Sequence, residues 1–455
     1  MALRLASPGI SVREVDLTRG AVDFTLNVVG GIAAPFSKGP CNEITRINNE
    51  KELIDTFGTP GAGTTDYHYE AWYSASNFLS YGGKLDVVRS AGGDLNTANA
   101  GVGTTKITLL LEGYDDYVNN QADDTTWYFA AKNPGFWAEN IKVAVIDNVA
   151  DQTLTPTFEV GTIASNVTVG YAVTQALTGV SVGVGTTAAA TGYLKGIVTK
   201  KGTTTIDVRV TSKVDAAGTE TLVGYQQNSQ YEFKTGTPLK VISNGGSVTC
   251  MGSTLSSVDW YNEQKILTSV SDGGTDFTTL SWKSVLNKPQ TNNYVSKRDG
   301  DNDAIHVVVV DAGGGVTGDV GSVLEKFPNL SKASDATTSG NAKIYWKDYI
   351  ADNSEYIFAG HSLTAGTDAH WGTSSKASGF SSGVTAATSG QGEWGQEAKN
   401  IKFSSIGNVK YDLTGGLDYT GVGVYNAPLG DILNSYDKFA DPVDSDIRFL
   451  LQGGA

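Results

Sequence analysis

This chain of 455 residues is short of the side chains on which most enzyme chemistry depends, with 2 cysteines, 2 methionines and 4 histidines. Cys41 and Cys250 stand far apart, which excludes a disulfide scaffold and a cysteine zinc site. The histidines, at 68, 306, 361 and 370, are scattered and leave little for a metal centre or a nucleophile–base triad. Long apolar runs are missing too: nothing approaches the roughly 20 residues of a membrane-spanning helix. The opening MALRLASPGISVREV has no apolar stretch of the kind a secretion signal needs. Positive charge is scarce: 33 Lys and Arg face 48 Asp and Glu, a net charge of −15. That balance disfavours a broad surface for nucleic acid or for an anionic membrane, and no direct membrane insertion is expected. What the chain does hold is 40% hydrophobic residues, 8 Trp and 20 Tyr, ample for folded cores, together with 55 Gly. The expectation is a soluble, intracellularly made protein of two to four domains, at roughly 100–200 residues each, with no catalytic, cofactor or metal site.

Charge is unevenly spread along the chain. Residues 148–258 carry 13 ionisable Asp, Glu, Lys and Arg in 111 positions, much sparser than the rest. The same segment is rich in Thr, Val and Gly, with alternating strings such as Asn166-Val-Thr-Val and Thr205-Ile-Asp-Val-Arg-Val. Tyr193 to Val208 reads as two strands around a Lys-Gly turn. Alternation bounded by turn residues predicts short, half-buried strands, hence an inserted all-β domain at 148–258. The flanks read as α/β. A helix is expected from Asp66 to Tyr81, with Asp66 as N-cap or first-turn residue and a stop at Gly82-Gly83, followed by a strand at Leu85–Arg89. The runs Ile141–Ile146, Ile305–Val310, Tyr356–Ala359 and Ile447–Leu451 suit central strands, with helices expected at 319–333, 341–351 and 428–440. The fold class is therefore an α/β core, a mixed sheet with helices, interrupted by an inserted all-β domain. The division is an arm at 1–20, a first core part at 21–147 with a variable loop at 91–130, the β insertion, and a second core part at 259–455. Residues 361–427 form a long Gly/Ser/Thr stretch expected to hold short strands or to be ordered by a neighbour.

Three motifs invite a chemical reading. Gly313-Gly-Gly315-Val-Thr-Gly318 matches the glycine pattern of a dinucleotide loop, but no acidic strand end follows about 20 residues on. Asp311-Ala-Gly also reads as a turn into Val316-Thr317, so a β-hairpin is the preferred reading. Asp299-Gly-Asp301-Asn-Asp303 begins like a calcium loop, yet position six is Ala304 and position twelve Val310, which favours a turn. Asp115-Asp116 and Asp123-Asp124 read as solvated loop carboxylates, Lys200-Lys201 as a two-charge turn, and His306 as a core histidine with its hydrogen bonds satisfied. The N-terminus is the remaining oddity. Ser7, Pro8 and Gly9 mark a break before an alternating strand through Ile10, Val12, Val15 and Leu17. A strand at a free terminus can add to another subunit's sheet edge or serve as an edge of its own fold.

Several blocks, in order and spacing, resemble tail sheath proteins of contractile-tailed bacteriophages, of the T-even-like and cyanophage type. They are Ser7-Pro-Gly-Ile-Ser-Val-Arg-Glu, Gly30-Gly-Ile-Ala-Ala-Pro-Phe-Ser-Lys-Gly-Pro, Glu52 to Pro60, Asn77 to Arg89 and Asn133 to Val143. His306 to Asp311, Val323 to Ser331, Tyr356 to Gly360 and Leu413 to Asp418 continue the series. Residues 148–258 lie outside the resemblance, as sheath proteins carry variable β-rich insertions on the outer surface. The resemblance implies a non-enzymatic virion subunit, assembled in the host cytoplasm into a helical homo-oligomer of stacked rings. Its partners would be itself, the tail tube protein, and the baseplate and tail terminator proteins. It would be metastable, and its contraction would serve genome ejection. Residues 7–17 are the candidate inter-subunit arm. Sheath proteins usually continue beyond the position resembling Asp446–Gly453 into a tube-proximal C-terminal domain; that this domain does not appear here implies either a fragment or functions that are reduced or located elsewhere. The rival reading is a fibre, baseplate or surface protein whose β domain recognises cell-surface sugars.

Overall fold

The computed structural model describes residues 28–60, 68–147, 150–158, 160–168, 171–178, 190–215, 220–222, 232–235, 238–243, 246–268, 271–272, 275–276, 279–298, 303–361, 363, 406–419, 427–441 and 446–453. The candidate arm residues Ser7, Pro8, Gly9, Ile10, Val12, Val15 and Leu17 lie outside them, as do Asp66, His370 and residues 299–302. The chain divides into two units, the first made of residues 1–95, 133–135 and 417–455 and the second of 96–132 and 136–416.

At the centre of the first unit is the strand Val29–Ala34. It runs parallel to Lys84–Arg89 on one side and to Phe449–Leu451 on the other, and Thr45–Ile47 adds antiparallel outside Lys84–Arg89. Successive strand side chains point to opposite faces. Ile32 and Ala34 pack with Leu53 and Phe57 of the helix Glu50–Phe57 and with Ala71, Trp72, Ala75 and Leu79 of the helix His68–Ser80. Ala33 packs on the other face with Val88, Phe439 and Tyr436, where the helix Leu429–Tyr436 and the 3₁₀ turn Asp437–Ala440 lie. Helices thus cover both faces of a largely parallel sheet, the arrangement that buries such a sheet best. The helix Glu50–Phe57 starts where the Asn49 side chain accepts from the Glu52 amide, while Glu52 reaches back to the Asn48 amide at 2.8 Å. It stops at Gly58, whose φ of 83° suits glycine. Glycines also set the closeness of the layers. A Cβ on Gly30 or Gly83 would stand 2.8 or 2.6 Å from the Phe78 ring. Fully buried Arg89 donates to the carbonyls of Phe36, Gly39 and Pro134, and Gly39 N–H donates to Asn133 Oδ1, so residues 133–135 are tied into this unit.

The second unit is built on an antiparallel sheet in the order Ser322–Ser331, Ala304–Asp311, Ile141–Asp147, Asn408–Asp412. The two central strands are buried almost throughout, as their continuous apolar runs require. Val143, Val145, Val307 and Val309 pack on one face with Phe129, Trp346 and Ile350, which belong to a three-stranded sheet (Ile357–Ala359, Trp127–Ala131, Asn99–Gly101) and the helix Trp346–Asn353. Ala144, Ile146, Val308 and Val310 pack on the other face with Trp260, Tyr261, Ile266 and Trp282. The same unit contains a seven-stranded antiparallel sheet drawn from 152–259. Its order is Glu220–Leu222, Ile206–Asp215, Gln152–Phe158, Gly246–Asp259, Leu239–Ser243, Ala172–Thr178, Ala190–Lys201. Ala190–Lys201 also pairs with Ile206–Asp215, which closes six of the strands into a ring. Leu154, Val173, Leu194, Val198, Val208, Phe233 and Val241 form one apolar cluster, the side-chain filling expected of so narrow a ring.

Three sequence expectations need correction. The segment expected as a helix at 319–333 is the strand Ser322–Ser331. Leu324, Phe327 and Leu330 mimic a helical stripe because a bulge falls at Pro328–Asn329: Phe327 pairs with Val307 and Leu330 with Ile305, three positions against two. Asn166 to Thr168, the described part of Asn166-Val-Thr-Val, form no strand. Gly161 has a φ of 85°, and Thr162 caps a helical turn at Ile163–Asn166 through a reciprocal bond with Ser165. Ile447–Leu451 is not central; Phe449–Leu451 is an edge strand, with Phe449 and Leu450 exposed because nothing pairs outside it among the described residues. The other expected elements lie close to their assigned positions, at His68–Ser80, Trp346–Asn353 and Leu429–Ala440.

Candidate functional site

The glycine loop at 313–318 is the place where cofactor chemistry is tested first. It joins Ala304–Asp311 to Ser322–Ser331 as a hairpin connection, the type preferred from sequence, but Val316-Thr317 lies in the turn and the returning strand begins at Ser322. Amide groups that would cradle a phosphate are taken by the protein's own carboxylate. Asp311 Oδ2 accepts from the Val316 and Thr317 amides at 3.0 and 2.7 Å and from Thr317 Oγ1 at 2.9 Å. A side chain at Gly313 would meet Asn140 Cβ at 2.4 Å, so this glycine serves close packing of the chain against Asn140. An anion brought here would meet a fixed negative charge, and no helix follows to supply a dipole.

Asp303 is likewise occupied by protein. It accepts from the Asn292 amide and side chain at 2.9 and 2.8 Å and from Ser331 Oγ, and burial pushes its carboxyl above the usual range. His306 accepts from the Asn329 amide at Nδ1, at 2.9 Å, which leaves Nε2–H to donate to the Asn287 carbonyl at 2.6 Å. Burial lowers its pKa to about 4, so it is a satisfied neutral core histidine. His361 stacks on the Tyr128 ring with centroids 6.1 Å apart. With Asp123, Asp124, Thr125, Tyr345, Trp346, Lys347 and Gly360 it borders a cleft of about 110 Å³. Among the described residues no group of three or more His, Cys, Asp or Glu is placed to hold a metal ion. No helix of the described residues is long and apolar enough to cross a membrane.

Two features escaped sequence reading. One is a buried charge cluster in the second unit. Lys332 Nζ stands 2.7 Å from Asp147, both fully buried, and Asp147 also accepts from the Ile406 and Gly407 amides at 2.8 and 3.0 Å. Burial holds the Lys332 ammonium below its usual range even beside that carboxylate. At the start of the seven-stranded sheet, Asp151 accepts from Val210 N–H and Lys288 Nζ, each at 2.7 Å. Burial raises the Asp151 pKa, but Lys288 and these bonds leave it below the usual carboxylate value. Isolated Asp and Lys letters carry no signal of such pairing.

The other feature is the edge of the first unit. Phe449 and Leu450 are 54% and 63% exposed, and Leu429 and Leu433 on the adjoining helix are each 55% exposed. Tyr436, one further turn along the helical stripe of Leu429 and Leu433, donates its hydroxyl to the Leu451 carbonyl at 2.7 Å. In the first unit these exposed apolar residues thus gather at one sheet edge and on the helix beside it.

Comparison with known proteins bears on the family. The chain is 35% identical over 115 residues to the tail sheath protein of Enterobacteria phage T4, a stretch that is 25% of this chain and 15% of that protein. It is 33% identical over 87 residues to the tail sheath protein of Vibrio phage KVP40, 19% of this chain and 12% of the other. The chain thus spans only a small part of the length of these curated relatives. Sheath tail proteins of Listeria innocua and Desulfitobacterium hafniense align with 50% and 49% of this chain and 34% and 37% of their own, at 12% and 11% identity. Their TM-scores of 0.17 and 0.16 define no common fold. No family model matches the chain. In sequence, this chain is similar to the tail sheath proteins of bacteriophages, the family that its ordered blocks resemble.

Proposed function

We propose that this chain is a structural, non-enzymatic subunit of a contractile phage tail sheath. Many copies would form a helical sleeve of stacked rings around the tail tube, held in a metastable extended state and bounded by baseplate and terminator proteins. Contraction would repack subunits as near-rigid bodies and drive the tube through the host envelope. The observation that carries this reading is the 35% identity to a named tail sheath protein. Two structural features support it: the glycine loop is filled by Asp311, and the exposed apolar residues gather at a sheet edge.

Within this reading, residues 1–20 act as an inter-subunit arm that adds a strand to a neighbour. Residues 148–258 form an inserted β domain on the outer surface. Its two ends lie side by side, with Trp260 N–H donating to the Asp151 carbonyl at 3.1 Å, as an insertion into a pre-existing core requires. The test is electron microscopy of the concentrated protein with and without residues 1–20. Long hollow tubes from the intact chain and none from the truncated chain are expected. Discrete trimers from the intact chain would indicate a fibre instead, and tubes from the truncated chain would remove the arm from the account.

A further inference from the structure

The ring of strands drawn from 152–259 is joined to the rest of its unit by two chain passages, at Asp151 and Trp260. They lie side by side, with Trp260 N–H donating to the Asp151 carbonyl at 3.1 Å. Two adjacent passages make one axis, and rotation about an axis needs a third contact to stop it. The apolar clusters do not supply one. The filling of the ring, from Leu154 to Val241, shares no residue with the cluster in which Ala150 and Trp260 pack with Ile146, Trp282 and Val308.

The third contact is polar, and Asp151 stands at its centre. Towards the ring, Asp151 Oδ2 accepts from Val210 N–H at 2.7 Å, and Asp151 N–H donates to the Val208 carbonyl at 2.8 Å, both on the strand Ile206–Asp215. Towards the central sheet, Asp151 Oδ1 stands 2.7 Å from Lys288 Nζ, whose side chain is only 8% exposed. Lys288 Nζ also donates to the Ala150 carbonyl and lies 5.9 Å from the centre of the Trp260 ring. The loop that carries Lys288 is itself fastened to the central sheet on both sides. Before it, the Asn287 carbonyl accepts from His306 Nε2 at 2.6 Å; after it, the Asn292 amide and side chain donate to Asp303 at 2.9 and 2.8 Å. A continuous path therefore runs from the strand Ala304–Asp311 through residues 287–292 and Lys288 to Asp151 and Val210.

We infer that Lys288 and Asp151 form a latch that fixes the direction of the ring on the central sheet, so that the two are carried as one body. Lys288 is the positioning residue, because it alone of the pair belongs to neither passage. A buried ion pair adds little stability over apolar packing, yet its charge-assisted hydrogen bond is short and directional, which suits it to setting an orientation. With the pair removed, the ring swings on its two passages while both sheets stay folded. A displacement of the ring reaches the central sheet through these side chains. The latch is a property of one chain and holds whether or not copies assemble.

Paired spin labels read the direction. On a full-length Cys41→Ala, Cys250→Ala background, Thr157→Cys labels an exposed position of the ring and Lys326→Cys an exposed position of the central sheet. The labelled chain is diluted into unlabelled chain, so that only distances within one chain are measured. A single narrow distance peak is expected, and its loss after Lys288→Met, with amide protection at 143–145 and 194–198 retained. Val241→Ala, which destabilises the ring through a cavity instead, should keep the peak narrow. If Lys288→Met does not fold because Asp151 is stranded without a partner, Lys288→Met together with Asp151→Asn removes that charge, and this chain should fold and show the broad distribution. A narrow peak in either folded variant overturns the latch. Failure of both to fold also overturns it, because the pair would then serve folding and not direction. A broad distribution in Val241→Ala overturns it as well, since any loss of stability would then free the ring.

Discussion

His306 shows how much a single polar residue can organise inside an apolar strand. The bulge at Pro328–Asn329 leaves the Asn329 amide without a ladder partner, and His306 Nδ1 accepts it. Protonation would place N–H against N–H, so the charged form is excluded from the folded state. The ordinary pKa near 6.5 falls to about 4 on folding. Stability from this group is therefore complete above about pH 6.5 and declines as pH drops towards 4, by about 3 kcal/mol in the limit. Thermal midpoints measured between pH 7 and pH 4 should fall less steeply for His306→Gln than for the native chain, and equal slopes would contradict the assignment. Lys332 makes a second residue-scale case. Lys332→Met leaves Asp147 buried without its ammonium partner, at a cost of roughly 3–5 kcal/mol. The double change with Asp147→Asn should recover much of that loss, a coupling that a two-way mutant cycle in chemical denaturation reads directly. Neither group was visible beforehand in full: a core histidine can be expected from the alternation of Ile305–Val310, but its partner amide depends on a bulge.

Elements here are set partly by local chemistry and partly by what packs on them. The Asn49 cap with Glu52 is local and self-sufficient. Asn49→Ala should lower stability by about 1 kcal/mol, checked by the unfolding midpoint, while Asn49→Asp should leave it nearly unchanged. The Asp311 loop is equally local once its strands have paired. Asp311→Ala removes three hydrogen bonds and should lower the midpoint by the equivalent of about 2 kcal/mol. Adding a nucleotide should shift neither protein, and saturable binding would overturn the reading of this loop as a turn. Other elements were illegible for physical reasons. Val29–Ala34 opens with Gly30-Gly31, which weakens any strand pattern, yet the glycines are needed where Phe78, Ile447 and Phe439 press on the sheet. Ser322–Ser331 imitates a helix because the bulge converts a two-residue period into a three-residue one.

At the scale of the molecule, the segment 152–259 starts and ends at neighbouring points within the second unit, Asp151 and Trp260. Replacing that segment with a short Gly/Ser linker should leave the remaining core folded, with near-native protection of the amides at 141–147 and 304–311 in hydrogen exchange. Collapse of that protection would show that the ring of strands supports the core. Composition alone determined a great deal: the scarcity of Cys and His, the absence of long apolar runs and the low charge of 148–258 are properties of the chain wherever its atoms lie. Alternation and short apolar runs likewise marked most strands and helices, because period and capping are local. Only tertiary structure decided that six strands close into a ring, that Asp311 fills the glycine loop, that Asp147 meets Lys332 from 185 residues away, and that Phe449–Leu451 is an exposed edge. Each depends on which distant segments become neighbours, and pairing energies between strands are realised only after the chain has folded.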